Sequence, residues 1–382
     1  GKLYRDKYEI AFETITGRHS LRFPLTRTET QYTCTVVVPD MLYGMISSLF
    51  PLLSAERIIN LAVMNAAAKG YHDIWNVKLP KDKFSAGYFA EEYVKISKFY
   101  EVYKDRLKDL DIINGHNWFG FEYAAKAMNP SLRVCHTHHG GLNMEWWGKS
   151  KPPFKLNLIA ISNWMKKVYE ALGFSSRVCY NGINLKDYPL KRKKGDRLLF
   201  VGRIDRFKQP HVAIQVAKKL GMGLDIVGGT FVQDPTYLER IRNLCDGKQI
   251  KFYPDAPHKV KVRLMQNAKC LIFPSRMGEP FGLVAVEAMA CGTPVVALND
   301  GAIEEVVKEG GIVCDVFNKQ ITPRGAVYSI KRNPVEALTE AIKKISSISP
   351  FDCRKNAERF SREKMAENYL TLYRQILDGQ EW

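Results

Sequence analysis

The fold of this chain is decided by the stretch Pro274–Ala297, which reads PSRMGEPFGLVAVEAMACGTPVVA. The short apolar run Cys270–Phe273 precedes it and is typical of a buried strand. Pro280 suits the first position of a helix, where its missing N–H is not needed, and Gly292 is a typical helix stop. The stretch therefore predicts a strand, a tight turn, a helix over Phe281–Ala290 and a second strand.

Two carboxylates in this unit indicate a ligand site. The backbone N–H groups of Phe281, Gly282 and Leu283 would lie at the N-terminus of the predicted helix, which makes a phosphate site. Glu279, beside that site, cannot bind the phosphate itself, so a neutral hydroxyl is its natural partner. Glu287, two turns into the helix, is placed for a second pair of hydroxyls. The pattern indicates a diphosphate that carries a sugar at each end.

The spacing of Glu279, seven residues, then Glu287 resembles the signature of the retaining GT-B glycosyltransferases, which include glycogen synthase, sucrose synthase and bacterial mannosyltransferases. The resemblance implies an α/β fold of two Rossmann-like, doubly wound domains facing across a cleft, with a C-terminal helix that crosses back to the first domain. It also implies that Glu279 binds hydroxyls of the donor sugar and that Glu287 binds the nucleotide ribose. The alternative is an ordinary strand-helix-strand unit with solvated acids.

A second donor motif follows the predicted strand Arg197–Val201. Arg203 and Lys208 are five positions apart across a turn after this strand, so they can converge on one diphosphate. The turn resembles the family's Gly-Arg…Lys turn, and Gly228 follows the next strand where the family meets the nucleotide base. Two surface cations are the alternative. The resemblance assigns the donor to Gly202, Arg203, Lys208, Gly228, Glu279, Phe281, Gly282, Leu283 and Glu287.

The first half of the chain resembles the family less closely. A buried strand at Cys34–Val38, a helix over residues 55–69 and a strand at His72–Val77 predict the β-α-β start of a doubly wound domain. The turn before that helix lacks the family's pair of glycines. Ser54 and Glu56 lie at this turn, and we assign them to the acceptor side.

Histidines follow two further strands of this half. His116 follows the predicted strand Asp111–Asn114 and resembles the histidine of the family's His-Asp-Trp turn, which lies near the donor sugar. Open α/β sheets bind ligands at this end of their strands. The run RVCHTHH (residues 133–139) ends in His138 and His139, of which we expect one to face the cleft on the acceptor side. Alternate strand residues face opposite ways, so this run cannot converge on one metal ion.

The chain of 382 residues divides by these motifs into an N-terminal extension of unknown role (1–32), an acceptor-binding domain (33–190), a nucleotide-sugar-binding domain (191–350) and a C-terminal helix (351–382). The basic run 191–196 is expected to be a solvated linker, with contact to acidic headgroups as the alternative.

A net charge of +17 indicates an anionic partner, either acidic lipid, nucleic acid or a phosphorylated acceptor. Met41–Ala55 is apolar and uncharged but too short to span a bilayer, so it is either a loop folded over the core or a lip that faces the acceptor or membrane. The eight cysteines include no C-x-x-C pair, which favours reduced thiols and a cytoplasmic location, with peripheral contact at the inner face of the membrane.

We therefore expect a retaining glycosyltransferase that moves a hexosyl group from a UDP- or GDP-sugar to a hydroxyl of a lipid-linked or glycan acceptor. The expected catalytic residues are His116, Arg203, Lys208 and Glu279, and no metal or cofactor is expected. The rival functions are a glycosyltransferase with a nucleic-acid acceptor, an inactive sugar-nucleotide-binding protein, and a GT-B epimerase or phosphorylase.

Overall fold

The computed structural model describes residues 20–27, 30–37, 111–116, 131–139, 156–230, 232, 234–276, 278–322 and 325–382, with the backbone alone over 20–37 and 319–328. The chain is α/β and forms two compact units. Unit one comprises 1–161, 172–179 and 366–382, and unit two comprises 162–171 and 180–365. Several predicted features lie outside the described residues. They are the apolar stretch Met41–Ala55, the site residues Ser54 and Glu56, the helix over 55–69 and the strand at His72–Val77.

The first described element of unit one is a hairpin. Strand β1 (Ser20–Arg27) pairs antiparallel with β2 (Thr30–Val37), and Arg27 lies opposite Thr30. The predicted strand at Cys34–Val38 therefore lies largely within β2, whose described partner β1 is antiparallel. The helix and strand that would complete the predicted β-α-β unit lie outside the described residues, so that unit stays a prediction. Two intervening residues suffice for an antiparallel hairpin, whereas a parallel pair needs a long crossover. The hairpin also spans the predicted boundary between residues 32 and 33.

Unit one also contains a four-stranded parallel sheet, ordered β3-β4-β5-β6. Its strands are β3 (Ile112–Gly115), β4 (Arg133–His138), β5 (Leu158–Ala160) and β6 (Ser176–Val178). Strands β3 and β4 were predicted within one residue at each end. Strand β6 was missed because Ser-Arg-Val contains no apolar run.

Unit two is built on a six-stranded parallel sheet, ordered β12-β11-β10-β7-β8-β9. The four inner strands are buried over their full length, as expected for strands covered on both faces. The strand order reverses between β7 and β10, which makes their carboxyl ends the topological switch point of the sheet. The strands are β7 (Leu198–Val201), β8 (Leu224–Gly228), β9 (Ile250–Pro254), β10 (Cys270–Phe273), β11 (Val295–Leu298) and β12 (Gly311–Cys314).

Helices connect these strands. Asp234 and Asn333 accept hydrogen bonds from the first turn of α3 and α7 below, and a proline begins each of these two helices. The helices are α1 (Asn163–Ala171), α2 (Pro210–Leu220), α3 (Pro235–Asn243), α4 (His258–Asn267), α5 (Leu283–Ala290), α6 (Ile303–Val307) and α7 (Pro334–Lys344).

Helix α5 begins two residues later than predicted. Gly282 has a φ of +94°, a left-handed conformation that only glycine adopts readily, and its carbonyl accepts the first helical hydrogen bond from Ala285 N at 2.9 Å. Pro280 and Phe281 therefore belong to the preceding turn. The N–H groups that precede the first helical bond are those of Leu283 and Val284, not those of Phe281 and Gly282.

An antiparallel hairpin of unit two was not predicted. Strand β13 (Phe317–Thr322) pairs with β14 (Gly325–Ile330) outside the parallel sheet. The sequence carried a turn signal here, because Pro323 and Gly325 separate two runs that include β-branched and aromatic residues.

The single C-terminal helix that we predicted is two helices, α8 (Pro350–Ala357) and α9 (Arg362–Leu377). Ser361 separates the two helices by capping the second one, because its Oγ accepts from Lys364 N at 3.2 Å. From Ala366 onward α9 belongs to unit one. Its Tyr373 hydroxyl accepts from Asn114 Nδ2 at 2.7 Å beside β3.

The basic run 191–196 is only partly solvated. Lys194 Nζ donates to Thr293 Oγ1 and to the Cys291 carbonyl, both at 2.8 Å. Burial lowers the pKa of Lys194 to about 8. This lysine therefore ties the run to the end of α5, which corrects the expectation of a solvated linker. Within the described ranges, no helix combines the length and apolar character needed to cross a membrane.

Candidate active site

Two loops of unit two meet at the switch point of its sheet. The loop after β7 carries Gly202, Arg203 and Lys208, and the loop after β10 carries Glu279. Arg276 N donates to the Phe207 carbonyl at 2.8 Å, which joins the loops through their backbones. The fold thus brings two motifs that are distant in sequence to the carboxyl ends of two neighbouring strands, where open α/β sheets bind ligands.

Lys208 and Glu279 form the centre of this site. The Lys208 ammonium is ion-paired with the Glu279 carboxylate, and the two side chains are 23% and 10% exposed. Lys208 Nζ also lies 5.6 Å from the centroid of the Phe273 ring. An ammonium has three N–H donors, so Lys208 can hold Glu279 and still donate to an anion.

Asp205 shapes the Lys208 loop and was not singled out from the sequence. Its Oδ1 accepts from Phe207 N at 3.0 Å and from Lys208 N at 2.7 Å. An Asp side chain that accepts from the backbone N–H two residues later is a known turn signal, so Asp205 could have been identified from the sequence. Gly228 lets this loop pack closely on β8, because a Cβ at Gly228 would lie 2.5 Å from Ile204 Cδ1.

Arg203 lies apart from the ion pair just described. Its guanidinium is 3.3 Å from Asp205 Oδ2, and its side chain is 70% exposed. An exposed pair of this kind contributes about 0–1 kcal/mol, so it holds Arg203 only weakly. The convergence of Arg203 and Lys208 on one diphosphate stays a prediction.

The turn that carries Glu279 is held by Asp300, which the sequence analysis also missed. Asp300 is fully buried and lies two positions after the end of β11. It accepts from Gly278 N at 2.9 Å and from Glu279 N at 3.1 Å. Gly301 is required for this approach, since a Cβ there would lie 2.1 Å from the Glu279 carbonyl oxygen. The signal in the sequence was Asn-Asp-Gly after an apolar run, a typical turn.

Helix α1 supports the same turn from another side. Ser162 Oγ donates to the Pro280 carbonyl at 2.7 Å. Gly278 has a φ of +85°, and a Cβ there would lie 2.6 Å from the Trp164 ring. The turn before α5 is therefore tightly enclosed on this side, and larger residues at 278 would not fit.

Glu305 on α6 holds the first turn of α1 in place. Its carboxylate accepts from Trp164 N at 2.8 Å, Asn163 N at 3.1 Å and the Tyr180 hydroxyl at 2.9 Å. Burial, followed by the nearby charge of Glu305, raises the pKa of Tyr180 to about 12. Tyr180 therefore stays protonated and keeps donating to Glu305 over the whole physiological pH range.

Glu287 lies on α5 and has its own two partners. Its Oε1 accepts from the Tyr188 hydroxyl at 2.9 Å, and its Oε2 is 2.9 Å from Lys261 Nζ. Neither partner was predicted from the sequence. Tyr188 is distant in sequence from Glu287, and Lys261 is one of many cations in a basic chain.

The four histidines that the structure describes in unit one form two pairs. His116 Nδ1 and His139 Nε2 are 2.8 Å apart, so one ring donates to the other. His138 is 6% exposed and its ring stacks on the buried His136 at 6.1 Å. Of His138 and His139, which we expected to provide one residue facing the cleft, His139 is the one within hydrogen-bond distance of His116. Among the described residues, no group of three or more His, Cys, Asp or Glu side chains could hold a metal ion.

Comparison with known proteins gives a consistent match. Residues 184–364 match the family of glycosyl transferases group 1. A D-inositol 3-phosphate glycosyltransferase of Catenulispora acidiphila is 30% identical over 195 residues, which cover 48% of this chain and 44% of the relative. The chain thus spans less than half the length of this curated relative.

Two solved structures resemble the fold. A glycosyltransferase from Rickettsia africae aligns with a TM-score of 0.63 at 17% identity, over 88% of this chain and 95% of the other. The Anabaena protein HepE in complex with UDP and glucose aligns with a TM-score of 0.56 at 18% identity, over 75% and 82%. At this identity the likeness concerns the fold, and it confirms the predicted GT-B type of α/β fold.

Proposed function

We propose that the protein is a retaining glycosyltransferase that moves a hexosyl group from a UDP- or GDP-sugar to an acceptor hydroxyl, because residues 184–364 match the group 1 glycosyl transferases. The observation that carries this proposal is the Lys208–Glu279 pair at the switch point of the unit-two sheet. It combines a cation suited to a phosphate with a carboxylate suited to sugar hydroxyls.

The proposed reaction breaks the bond between the anomeric carbon and the diphosphate oxygen and forms a bond from the acceptor oxygen to that carbon. Charge builds on the leaving diphosphate, and Lys208, Arg203 and the N–H groups at the start of α5 stabilise it by preorganised electrostatics. The acceptor proton passes to the departing diphosphate oxygen on the same face of the sugar, so the configuration is retained.

Glu279 and Glu287 are expected to affect binding differently. Glu287→Ala should weaken binding of the bare nucleoside diphosphate and of the nucleotide sugar, because the ribose hydroxyls lose their acceptor. Glu279→Ala should spare the bare nucleotide and remove the extra affinity that the sugar provides, about 1–3 kcal/mol for groups left unpaired. Titration calorimetry with both ligands measures these losses.

A control for this pair is Glu239→Ala on α3, whose carboxylate is exposed and lies 3.6 Å from the neighbouring Arg242 on the same helix. This variant should bind both ligands like the wild type. Equal losses for the nucleotide and the nucleotide sugar in both Glu279→Ala and Glu287→Ala would contradict the assignment.

The proposed acceptor is a lipid-linked molecule or a glycan. The net charge of +17 and the apolar stretch Met41–Ala55 support an amphiphilic acceptor presented at an anionic membrane. A phosphorylated polyol is a second candidate, because the Catenulispora relative is named for inositol 3-phosphate and the same charge favours a phosphate.

We expect the protein to co-sediment with anionic liposomes and less with neutral ones. Apolar insertion plus about 1 kcal/mol per well-placed cation suffices for reversible binding. The double variant Leu49→Asp/Phe50→Asp should lose most of this binding. Unchanged binding in that variant, with duplex DNA competing fully, would favour the nucleic-acid acceptor instead.

The proposal includes no metal requirement, because Lys208 and Arg203 can supply the positive charge at the diphosphate. It also includes a cytoplasmic location. Cys270, Cys291 and Cys353 are buried free thiols, and burial raises the pKa of each to about 12, so all three stay protonated. Free thiols at these positions support a reducing compartment.

A further inference from the structure

The further inference concerns the residues that hold Glu287, and it rests on the proposed function. Glu287 is only 12% exposed on α5, and each of its two oxygens has one partner. Oε1 accepts from the Tyr188 hydroxyl at 2.9 Å, and Oε2 lies 2.9 Å from Lys261 Nζ. Both carboxylate oxygens are therefore held from the protein side.

The two partners are themselves fixed. Tyr188 is 6% exposed, and its ring meets the His258 ring edge-on at a centroid distance of 5.3 Å. Its carbonyl accepts from Arg354 Nη1 at 2.8 Å. Lys261 is 18% exposed and its Nζ lies 5.7 Å from the centroid of the Tyr188 ring. Tyr188, Lys261 and Glu287 thus form one packed cluster, which we call the Glu287 clamp.

The clamp leaves a defined set of acceptors on Glu287. A carboxylate has about four lone-pair positions, two on each oxygen. Tyr188 and Lys261 use one on each oxygen, which leaves one on each oxygen for a ligand. Two acceptors side by side match two hydroxyl donors on neighbouring carbons, which is the vicinal diol of a ribose.

We infer that Tyr188 and Lys261 are positioning residues that fix Glu287 to recognise a vicinal diol, so that the site selects ribonucleotides over deoxyribonucleotides. Neither residue needs to contact the nucleotide. Their role is to keep both free acceptors of Glu287 aimed at the two hydroxyls, because a carboxylate that can rotate must be ordered before it accepts from both.

The test is a titration of the full chain with UDP, GDP and ADP, followed by the 2′-deoxy and 3′-deoxy forms of whichever nucleotide binds. The wild type should prefer the ribonucleotide by about 10- to 100-fold, since one deleted hydroxyl leaves one buried acceptor unpaired. In Lys261→Met this preference should fall by about tenfold, while the Kd for the deoxy forms changes by less than about threefold.

Tyr188→Phe keeps the ring and removes only the hydroxyl, so it tests the same role if Lys261→Met is unstable. It should lower the ribose preference in the same way. Lys259→Met is the matched control, because Lys259 is exposed on the same helix α4 and should leave the preference unchanged.

Three outcomes would overturn the inference. Equal weakening of ribo- and deoxyribonucleotides in Lys261→Met would mean that Lys261 contacts the phosphate or base directly. An unchanged preference with a lower Tm would mean that the clamp only stabilises the fold. A wild type that binds a nucleoside diphosphate but ignores the missing hydroxyl contradicts the inference alone, whereas a wild type that binds no nucleoside diphosphate contradicts the proposed function itself.

Discussion

Replacing Lys208 by alanine is expected to lower turnover by about 10²–10³-fold, the usual scale for losing one preorganised group that stabilises developing charge. Lys208 is three-quarters buried beside Glu279, so its charge acts where water screens it poorly. The loss should appear in kcat more than in KM, because the leaving diphosphate carries more charge in the transition state than in the donor. Steady-state kinetics with the cognate donor measures this.

Lys218→Ala is the control for Lys208, because Lys218 is exposed near the end of α2 and should leave turnover unchanged. Arg203→Ala should also lower turnover, because the proposed mechanism moves the Arg203 side chain from Asp205 to the diphosphate. EDTA should not reduce activity, since these cations are proposed to act in place of a metal. Near-wild-type turnover in both Lys208→Ala and Arg203→Ala, or abolition by EDTA, would contradict this mechanism.

Replacing Asp300 by alanine is expected to affect both stability and turnover. The change leaves the N–H groups of Gly278 and Glu279 without their acceptor, at a cost of about 1–3 kcal/mol for each buried group. We therefore expect the free energy of unfolding to fall by about 2–6 kcal/mol. A loosened turn displaces Glu279, and a displacement of this kind can cost about 10²-fold in turnover.

Denaturant unfolding and single-turnover kinetics separate these two effects. Asp300→Asn keeps one acceptor of the same size and should lose less of both. Asp196→Ala is the control, because Asp196 is exposed and precedes β7 at the opposite edge of the sheet. A variant Asp300→Ala that is destabilised but turns over normally once folded would show that Asp300 supports the fold and not the position of Glu279.

The second half of the chain could be predicted from its sequence because its strands are continuous apolar runs. The strand Cys270–Phe273 lies where the pattern placed it, and the predicted strand Arg197–Val201 is observed as Leu198–Val201. Strands that are buried on both faces read as continuous apolar runs, which can be recognised directly in the sequence.

The elements that were missed have weak local signals. Strand β6 is only three residues long, and its Ser-Arg-Val sequence is polar at two positions. Helix α5 was placed two residues early because Pro280 suits a helix start, while the left-handed Gly282 moved the start to Leu283. The break between α8 and α9 depends on the cap at Ser361, which competes with continuous helix-forming residues.

The site was predicted where a motif names the residues and missed where support comes from elsewhere in the chain. Lys208 and Glu279 were singled out, and the fold brings them together. Asp300, Tyr188 and Lys261 support the two glutamates through contacts with residues distant in sequence, which no local pattern reveals.

The most direct test of the central claim is calorimetric titration of the full chain with UDP, GDP and ADP and with their glucose and mannose conjugates. We expect one nucleotide to bind and its sugar conjugate to bind more tightly, with Glu287→Ala weakening both. Absence of binding to every nucleoside diphosphate and nucleotide sugar in the panel, for a protein that is folded by its cooperative thermal unfolding, would contradict the claim that unit two is a donor site.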